Sequence, residues 1–425
     1  MPEKRSLRPY TEMLTRGFDP ALSVGSARPA VFRSSTYVFP SPEAAERAFD
    51  ILSGRGHAEP GEEVPLVYSR FNHPNAEILE DQILPLEHGA KCALAFNSGM
   101  AAIMTSMLAY LRPGHSVVYT VPIYGGTQHF IQDYLSIWGV RGVPVPAGES
   151  DALDGAIRSA ADLCIVLIET PANPTLMMTG IARAARTAKE RTGVNGLAHP
   201  LVMVDNTLMG PAFQHPLELG ADVVLYSATK YLSGLSDMIG GIVLACDDSI
   251  MRPIRSKRNL FGNILQPDEC WMLDGRLTTV ALRMNRQSKN AQHVAEGIVQ
   301  HRNIERVIYP SLFADGEQKR IYESQCDFPG AMFSIEVKGG KAGAFEFLRN
   351  LKLGKNAVSL GGIETLVCHP KTTTHSGFTE DEFREAGVTD GLVRISVGIE
   401  DWRDLLTDFE HAADSVDAVV PVHAL

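Results

Sequence analysis

A carboxylate and an amine occur 25 residues apart in this sequence, each directly after a short apolar run. Asp205 follows one run, and Lys230 comes shortly after a second run that ends at Tyr226. Ser227 and Thr229 stand between that second run and the amine, and their hydroxyls can donate hydrogen bonds to a phosphate. Ligands of open α/β sheets bind beyond the carboxyl ends of the strands. The sequence therefore predicts that these four side chains share one crevice.

This set of groups has a specific chemical use. Pyridoxal 5'-phosphate (PLP) needs a carboxylate that faces its pyridine nitrogen, a Lys that forms a Schiff base and a cup of donors for its phosphate. An ordinary ion pair between two loops would use the same carboxylate and amine. The spacing alone does not decide between the two interpretations.

Other kinds of site lack their motifs. The sequence has no G-x-G-x-x-G and no G-x-x-x-x-G-K-[ST], and Ser98 lacks the glycine two residues earlier that a serine hydrolase elbow requires. There is no H-E-x-x-H, and the six cysteines form no C-x-x-C pair, so no metal site is predicted. Cysteines within apolar runs are typical of buried thiols and favour a reducing, cytoplasmic location.

Short apolar runs alternate with helical patterns from about residue 90 to residue 250. Strands are predicted at 93–96, 116–120, 163–168, 201–204, 222–226 and 239–245, and helices at 100–111, 128–138 and 180–192. The alternation is typical of an α/β domain with a mostly parallel sheet. Residues 1–72 look irregular, with a surface loop at 54–65, and a long helical segment at 277–302 opens a second α/β domain.

Length and charge set the remaining limits. The chain has 425 residues, enough for two or three domains, and its net charge of −11 argues against binding nucleic acid or an anionic membrane. No apolar run reaches the roughly 20 residues that a membrane-spanning helix needs. Residues 1–6 are polar and do not resemble a secretory signal.

Seven ordered motifs resemble the Cys/Met-metabolism family of PLP enzymes, which includes cystathionine γ-synthases, cystathionine lyases, methionine γ-lyases and homoserine-ester sulfhydrylases. They begin at Tyr68, Phe96, Tyr124, Glu169, Asp205 (through Lys230), Ser359 (with His369 and His375) and Arg394. The resemblance implies a fold type I PLP-dependent transferase with a seven-stranded, mostly parallel sheet and a smaller α/β C-terminal domain. It implies that residues 1–72 form an N-terminal arm that completes the active site of the neighbouring subunit. It also implies a PLP domain at 73–272 and a C-terminal domain at 273–425.

The resemblance also implies roles for single residues. Lys230 would carry PLP and move protons, Asp205 would hold the pyridine nitrogen protonated, and Tyr124 would stack on the ring and assist the leaving group. The remaining cofactor contacts would come from Gly99, Met100, Ser227, Thr229 and Thr207, and from Tyr68 and Arg70 of a neighbouring subunit. The last pair implies a homotetramer built from catalytic dimers.

The amino-acid substrate would be bound by the α-carboxylate through Arg394, with Ser359 and Asn173 nearby. An Arg within an apolar run needs an anionic partner, which supports that role. Glu169 is interpreted as support for the cofactor or a turn cap, and His369 and His375 as structural residues.

Departures from the family pattern bear on the reaction. Val358 replaces the Glu that cystathionine-handling members carry before Ser-Leu-Gly-Gly, and Gly126 replaces the Cys of methionine γ-lyases. The resemblance implies chemistry at the γ-carbon, with γ-elimination to 2-oxobutanoate, ammonia and a thiol favoured. γ-Replacement, of the cystathionine γ-synthase or O-acylhomoserine sulfhydrylase type, is the alternative. A non-catalytic PLP-binding protein and an aminotransferase are more remote alternatives.

Overall fold

A computed structural model describes residues 7–59, 62, 64–314 and 316–419. Residues 1–6, where no signal sequence is predicted, and parts of the loop at 54–65 lie outside these ranges. No helix within them is long and apolar enough to cross a membrane.

A seven-stranded sheet forms the larger half of the molecule. Its strands are β1 Cys92–Phe96, β2 Ser116–Val121, β3 Arg141–Pro146, β4 Leu163–Glu169, β5 Leu201–Asp205, β6 Val223–Ser227 and β7 Gly241–Ala245. The spatial order is β1-β7-β6-β5-β4-β2-β3, and only β7 runs antiparallel to its neighbours, β1 and β6. The central strands are apolar on both faces because helices cover both. The prediction of a mostly parallel, seven-stranded sheet is confirmed.

Helices pack on both faces of this sheet. The helices of this half are α1 Pro9–Met13, α2 Pro42–Leu52, α3 Pro74–Gln82, α4 Gly99–Tyr110, α5 Gly125–His129, α6 Ser150–Ser159, α7 Ile181–Lys189 and α8 Asp248–Phe261. α4 and α8 share one apolar cluster with the sheet, and α6 and α7 share another on the opposite face. Because β7 alone runs antiparallel to its neighbours, the carboxyl ends of the other six strands lie on one side of the sheet. The loops that follow these strands meet there.

A second sheet of five strands forms the C-terminal part. Its strands are β8 Ile304–Ile308, β9 Met332–Val337, β10 Lys355–Asn356, β11 Leu366–Cys368 and β12 Leu392–Ser396, in the order β10-β11-β12-β9-β8. The helices are α9 Pro267–Leu277, α10 Val280–Ile298, α11 Glu317–Gln325, α12 Gly340–Asn350, α13 Glu380–Ala386 and α14 Trp402–Asp414. This part matches the predicted smaller α/β unit, and the exact division at 72 and 272 stays a prediction.

Two local expectations were wrong. The segment 1–72 is not wholly irregular, because Ser41 caps α2 and Pro42 occupies its first position, both favourable for a helix start. The helix expected at 128–138 begins at Gly125 and continues as a π-helix at Phe130–Leu135. The long helical segment expected at 277–302 is present as the single helix α10, Val280–Ile298, and α9 ends just before it at Leu277.

Candidate active site

A cavity of about 250 Å³ opens at the carboxyl ends of β4, β5 and β6. This is the position at which α/β sheets of this type bind ligands. Its lining consists of Ser98, Gly99, Met100, Ile103, Tyr124, Glu169, Asp205, Thr207, Leu208, Ser227, Thr229, Lys230, Ile239 and Leu360. Eight of the predicted site residues therefore meet in one cavity, although they come from distant parts of the chain.

Asp205 ends β5 and is held on one side only. Its Oδ1 accepts hydrogen bonds from the backbone N–H of Thr207 at 3.0 Å and from the Thr207 hydroxyl at 2.6 Å. The same hydroxyl accepts from the backbone N–H of Ser227, which ties β5 to β6. Oδ2 has no partner among the described residues. Burial raises the pKa of Asp205, so a cationic N–H in the cavity would be a favourable partner for its carboxylate.

Lys230 lies in the turn that follows β6. Its Nζ donates a hydrogen bond to the Ser359 hydroxyl at 3.1 Å, and this contact brings the C-terminal part of the chain to the cavity. Burial, and then the nearby Arg394, lower the pKa of the Lys230 amine. A lowered pKa increases the fraction of unprotonated amine, which is the nucleophilic and basic form.

The N-terminus of α4 provides backbone donors at the other end of the cavity. Ser98 caps the helix through its hydroxyl, and the N–H groups of Gly99 and Met100 have no partner in the described ranges. A Cβ on Gly99 would lie 2.8 Å from the Ser227 Cβ, so only glycine lets α4 approach β6 this closely. Unpaired N–H groups at a helix N-terminus are suited to bind a phosphate.

Two hydroxyls lie near these donors, but they are not equivalent. The Thr229 hydroxyl donates to the Gly240 carbonyl at 3.3 Å and accepts from the Gly240 N–H at 3.1 Å. The Ser227 hydroxyl has no hydrogen-bond partner within the residues that the structure describes. Ser227 is therefore the freer donor, whereas Thr229 also fixes the loop before β7.

Glu169 holds two loops that border the cavity. Its Oε2 accepts from the backbone N–H of Tyr124 at 2.8 Å, and its Oε1 accepts from that of Asn173 at 3.1 Å. Burial and the neighbouring Asp205 raise the pKa of Glu169. The Tyr124 ring, 48% exposed, stands at the cavity mouth, and a Cβ at Gly126 would lie 2.8 Å from it. Glu169 was interpreted from the sequence as a cofactor support or a turn cap, and its bond to the Asn173 N–H agrees with the turn cap, whereas its bond to the Tyr124 loop was not predicted.

Arg394 lies in β12 and is 1% exposed. Its Nη1 donates to Asn173 Oδ1 at 3.3 Å, and its Nη2 donates to the carbonyls of Val358 at 2.8 Å and Ser359 at 2.9 Å. Its Nε is buried without a partner in the described chain. A buried guanidinium with an unused N–H and no carboxylate partner can bind an anionic group.

His375 contacts Asn173, the residue that bonds Arg394, and sequence patterns do not reveal this link. Its Nε2 lies 3.2 Å from the Asn173 carbonyl, and its Nδ1 lies 2.8 Å from the Thr374 hydroxyl. Burial, and then Arg394, lower the pKa of His375 to about 4, so the ring is neutral near pH 7. His369, by contrast, bonds within the C-terminal part.

Tyr68 and Arg70 do not line this cavity. Tyr68 forms an isolated bridge with Thr36, and the Arg70 guanidinium donates to the Asn259 carbonyl at the end of α8. The apolar lining residues Ile103, Leu208, Ile239 and Leu360 were also not predicted, because single apolar residues carry no sequence signal of a cavity. No cluster of three potential metal ligands occurs in the described parts of the chain.

The sheet topology and the cavity define a fold type I PLP-dependent enzyme. Three features suit that cofactor: the unbonded Oδ2 of Asp205, the Lys230 amine with its lowered pKa, and the unpaired N–H groups at the start of α4. A family model for Cys/Met metabolism PLP-dependent enzymes matches residues 10–414, and the chain belongs to that family. The predicted resemblance and the cofactor prediction are thereby confirmed.

Relatives with different activities match almost the whole chain. An L-methionine gamma-lyase of Pseudomonas putida is 36% identical, over 95% of this chain and 96% of its own length. A cystathionine gamma-synthase of Mycobacterium bovis is 35% identical, over 95% and 96%. The structure of a cystathionine gamma synthase from Xanthomonas oryzae, in complex with cystathionine, superposes with a TM-score of 0.87 at 29% identity and covers 98% of this chain and 100% of that one.

Proposed function

We propose that this enzyme eliminates the γ-substituent of a sulfur amino acid such as methionine and consumes one water, with release of a thiol, 2-oxobutanoate and ammonia. The observation that carries the proposal is the link from the Lys230 amine through Ser359 to Arg394. An amino acid with its α-carboxylate on Arg394 would present its Cα to that amine.

The bound cofactor supplies an electron sink that stabilises negative charge at Cα. Arg394, with Asn173 and Ser359 beside it, would fix the carboxylate through its unused Nε–H. The Lys230 amine, with its lowered pKa, would accept the Cα proton, and loss of a Cβ proton would then allow the bond from Cγ to sulfur to break. Tyr124 at the cavity mouth would donate a proton to the departing sulfur. Asp205 would hold the cofactor nitrogen through its free Oδ2.

The Ser227 hydroxyl and the N–H groups of Gly99 and Met100 would bind the phosphate, with Thr229 and Thr207 supporting them. We also propose that Tyr68 and Arg70, which do not line their own cavity, complete the cavity of a second copy. In this arrangement residues 1–72 form an arm, 73–272 the cofactor domain and 273–425 the C-terminal domain. Catalytic dimers would pair as a homotetramer, and we expect a cytoplasmic location.

γ-Replacement, in which an acylated homoserine reacts with cysteine or sulfide, is the second candidate. The 35% identical cystathionine gamma-synthase supports it. Val358, which is 58% exposed, supports elimination, because an apolar side chain there offers no charge to a polar incoming substrate.

Product analysis distinguishes the two reactions. The enzyme is incubated with methionine, and separately with an acylated homoserine plus cysteine or sulfide. We expect 2-oxobutanoate from methionine. Efficient formation of a thioether from the ester and cysteine, or of homocysteine from the ester and sulfide, with no 2-oxobutanoate from methionine, would instead establish replacement.

A further inference from the structure

A buried ion pair connects α8 to α3, and its arginine also contacts β1 and the segment 68–71. Arg258, whose side chain is fully buried, donates from Nη1 to Glu80 at 2.5 Å and to the Ala95 carbonyl at 2.9 Å. Its Nη2 donates to the Phe71 carbonyl at 3.1 Å. The Glu80 carboxylate also accepts from the Ala95 N–H at 2.9 Å. One guanidinium thus joins three separate parts of the chain.

Two of these contacts concern segments with functional residues. Ala95 lies in β1, and β1 leads directly to Gly99 and the phosphate-binding end of α4. Phe71 directly follows Arg70. Arg258 therefore touches both the strand that supports its own cavity and the segment that carries Arg70.

The end of α8 holds this segment by its side chain as well as by its backbone. The Arg70 guanidinium donates to the carbonyl of Asn259, the residue after Arg258, and its Cζ lies 4.5 Å from the Phe71 ring centroid. The Arg258 Cζ in turn lies 5.9 Å from the ring centroid of Phe96 in β1. The position of the segment 68–71 is thus set from α8.

Burying a charge to hold a loop costs desolvation free energy, whereas an apolar contact does not. Replacing buried ion pairs with apolar residues is often neutral or stabilising, so stability alone does not account for Arg258. A planar guanidinium can, however, fix a backbone carbonyl in direction as well as distance, which an apolar contact cannot do.

We propose that Arg258 is a positioning residue that sets how the Tyr68–Arg70 segment enters the active site of a second copy of this chain. The proposal rests on the proposed arm function. Arg258 has this role in the subunit that donates the arm. In the subunit whose site is completed, Arg258 reaches that site only through β1, where the bond from the Ala95 N–H to the side chain at position 80 remains.

Mixed oligomers test this assignment. A Lys230→Ala chain, which can only donate its arm, is co-expressed with an Arg70→Ala chain, which can only provide its cavity, and mixed oligomers are purified with two affinity tags. Only one kind of complete site then exists. Glu80→Gln with Arg258→Met is placed either in the arm donor or in the cavity owner. The Glu80→Gln substitution removes the charge but keeps an acceptor for the Ala95 N–H.

We expect kcat/KM and PLP affinity to fall about tenfold or more when the double substitution is in the arm donor, because small misplacements of a contacting group cost this much. We expect less than about a threefold change when it is in the cavity owner. Equal losses in both positions, or no loss in either, would overturn the proposal. Arg258→Lys, which keeps the charge, is measured in the same two positions, so a folding defect of the double variant cannot hide the result.

Two controls separate this proposal from the one on which it rests. Arg252→Met removes an exposed guanidinium from the same helix and should change neither mixed oligomer. The mixed oligomer without any substitution at 258 must regain activity. Failure to do so would show that the arm is not shared, and both proposals would then be wrong, whereas regained activity with no donor-specific loss would remove only the role of Arg258.

Discussion

Two carboxylates that lie side by side at the floor of the cavity are held in different ways. Glu169 in β4 is opposite Asp205 in β5, and burial raises the pKa of both. Both oxygens of Glu169 accept backbone N–H groups, whereas Asp205 is bonded by the protein through Oδ1 alone. The hydrogen bonds of the two acids therefore differ in their effect. Glu169 holds the loops of Tyr124 and Asn173, whereas Asp205 keeps Oδ2 available for a ligand.

Replacement of the candidate cofactor lysine is the most direct test at this scale. Lys230→Ala should remove both turnover and the visible absorbance of the bound cofactor, because it removes the one amine that the described residues contribute to the cavity lining. Absorbance spectroscopy and product assays measure the two effects. Lys289→Ala, at an exposed position of α10, is the matched control and should retain both. Retained activity in Lys230→Ala would contradict the cofactor assignment.

The contact between His375 and Asn173 predicts a selective effect on substrate binding. His375→Phe removes the donor to the Asn173 carbonyl, so we expect KM for the amino acid to rise about tenfold, with a smaller change in kcat. His375→Gln, which can donate from a similar position, should recover part of the loss. Steady-state kinetics give both constants, and equal falls in kcat for the two variants would point to a general structural defect.

The same histidine predicts a pH dependence of stability. Burial and then Arg394 lower its pKa to about 4 in the folded chain, against about 6.5 when unfolded. The unfolded state therefore binds more protons between these values, and stability falls as the pH drops from 6.5 toward 4. The thermal midpoint of the unsubstituted enzyme should fall more between about pH 7.5 and pH 5 than that of His375→Phe. Parallel falls would exclude this contribution.

At the scale of elements, the site depends on how closely α4 approaches β6. Gly99→Ala would place a Cβ 2.8 Å from the Ser227 Cβ and 3.0 Å from its Cα. The helix end must then move away from the hydroxyls, and we expect PLP affinity to fall about tenfold or more. A fluorescence or absorbance titration of the apoenzyme with PLP measures this.

Gly155→Ala is the matched control, because the new Cβ on α6 would have no atom within 4 Å. It should leave PLP affinity unchanged and raise stability by about 0.5–1 kcal/mol, since alanine is favoured over glycine within helices. Equal PLP affinity in both variants would show that the close approach of α4 is not needed.

Strands and helices were predictable where a local sequence pattern alone determined them. The buried strands β4, β5 and β6 were predicted because short apolar runs that alternate with helical patterns leave few alternatives. β3 was missed because Pro144 and Pro146 argue against a strand, but β3 lies at the sheet edge, where a missing N–H is tolerated. Asp205 and Lys230 were singled out by their positions after strands, and the family resemblance decided between a cofactor site and an ion pair. The contact of His375 with Asn173, across 202 residues, depends on how two sheets pack and has no local signal.

At the scale of the whole molecule, the N-terminal segment exposes apolar side chains that a stable monomer would normally cover. Leu22 is 77% exposed, Val38 is 95% exposed, and Val24 is wholly exposed. All three precede Tyr68 and Arg70, which are proposed to enter a second copy. Exposed apolar groups of this kind commonly mark an interface.

Substitution of these three residues with serine should therefore weaken assembly. We expect the Leu22→Ser, Val24→Ser, Val38→Ser variant to dissociate at higher protein concentration than the unsubstituted enzyme, and to lose activity on dilution. Sedimentation and dilution assays measure the two effects. Ile137→Ser, an 81% exposed position outside this segment, is the control. Unchanged assembly at all concentrations would contradict the interface.

The position of β7 between β1 and β6 has a consequence for folding of the chain during its synthesis on the ribosome. β1 ends at Phe96, yet the only strand it pairs with in the described sheet begins at Gly241. At about 5–20 residues per second, translation leaves this apolar strand unpaired for on the order of ten seconds. The end of α4 that is proposed to bind phosphate cannot reach its final place earlier. The nascent chain must therefore stay soluble with an open sheet, and any factor that shields β1 during this interval would raise the yield of active enzyme.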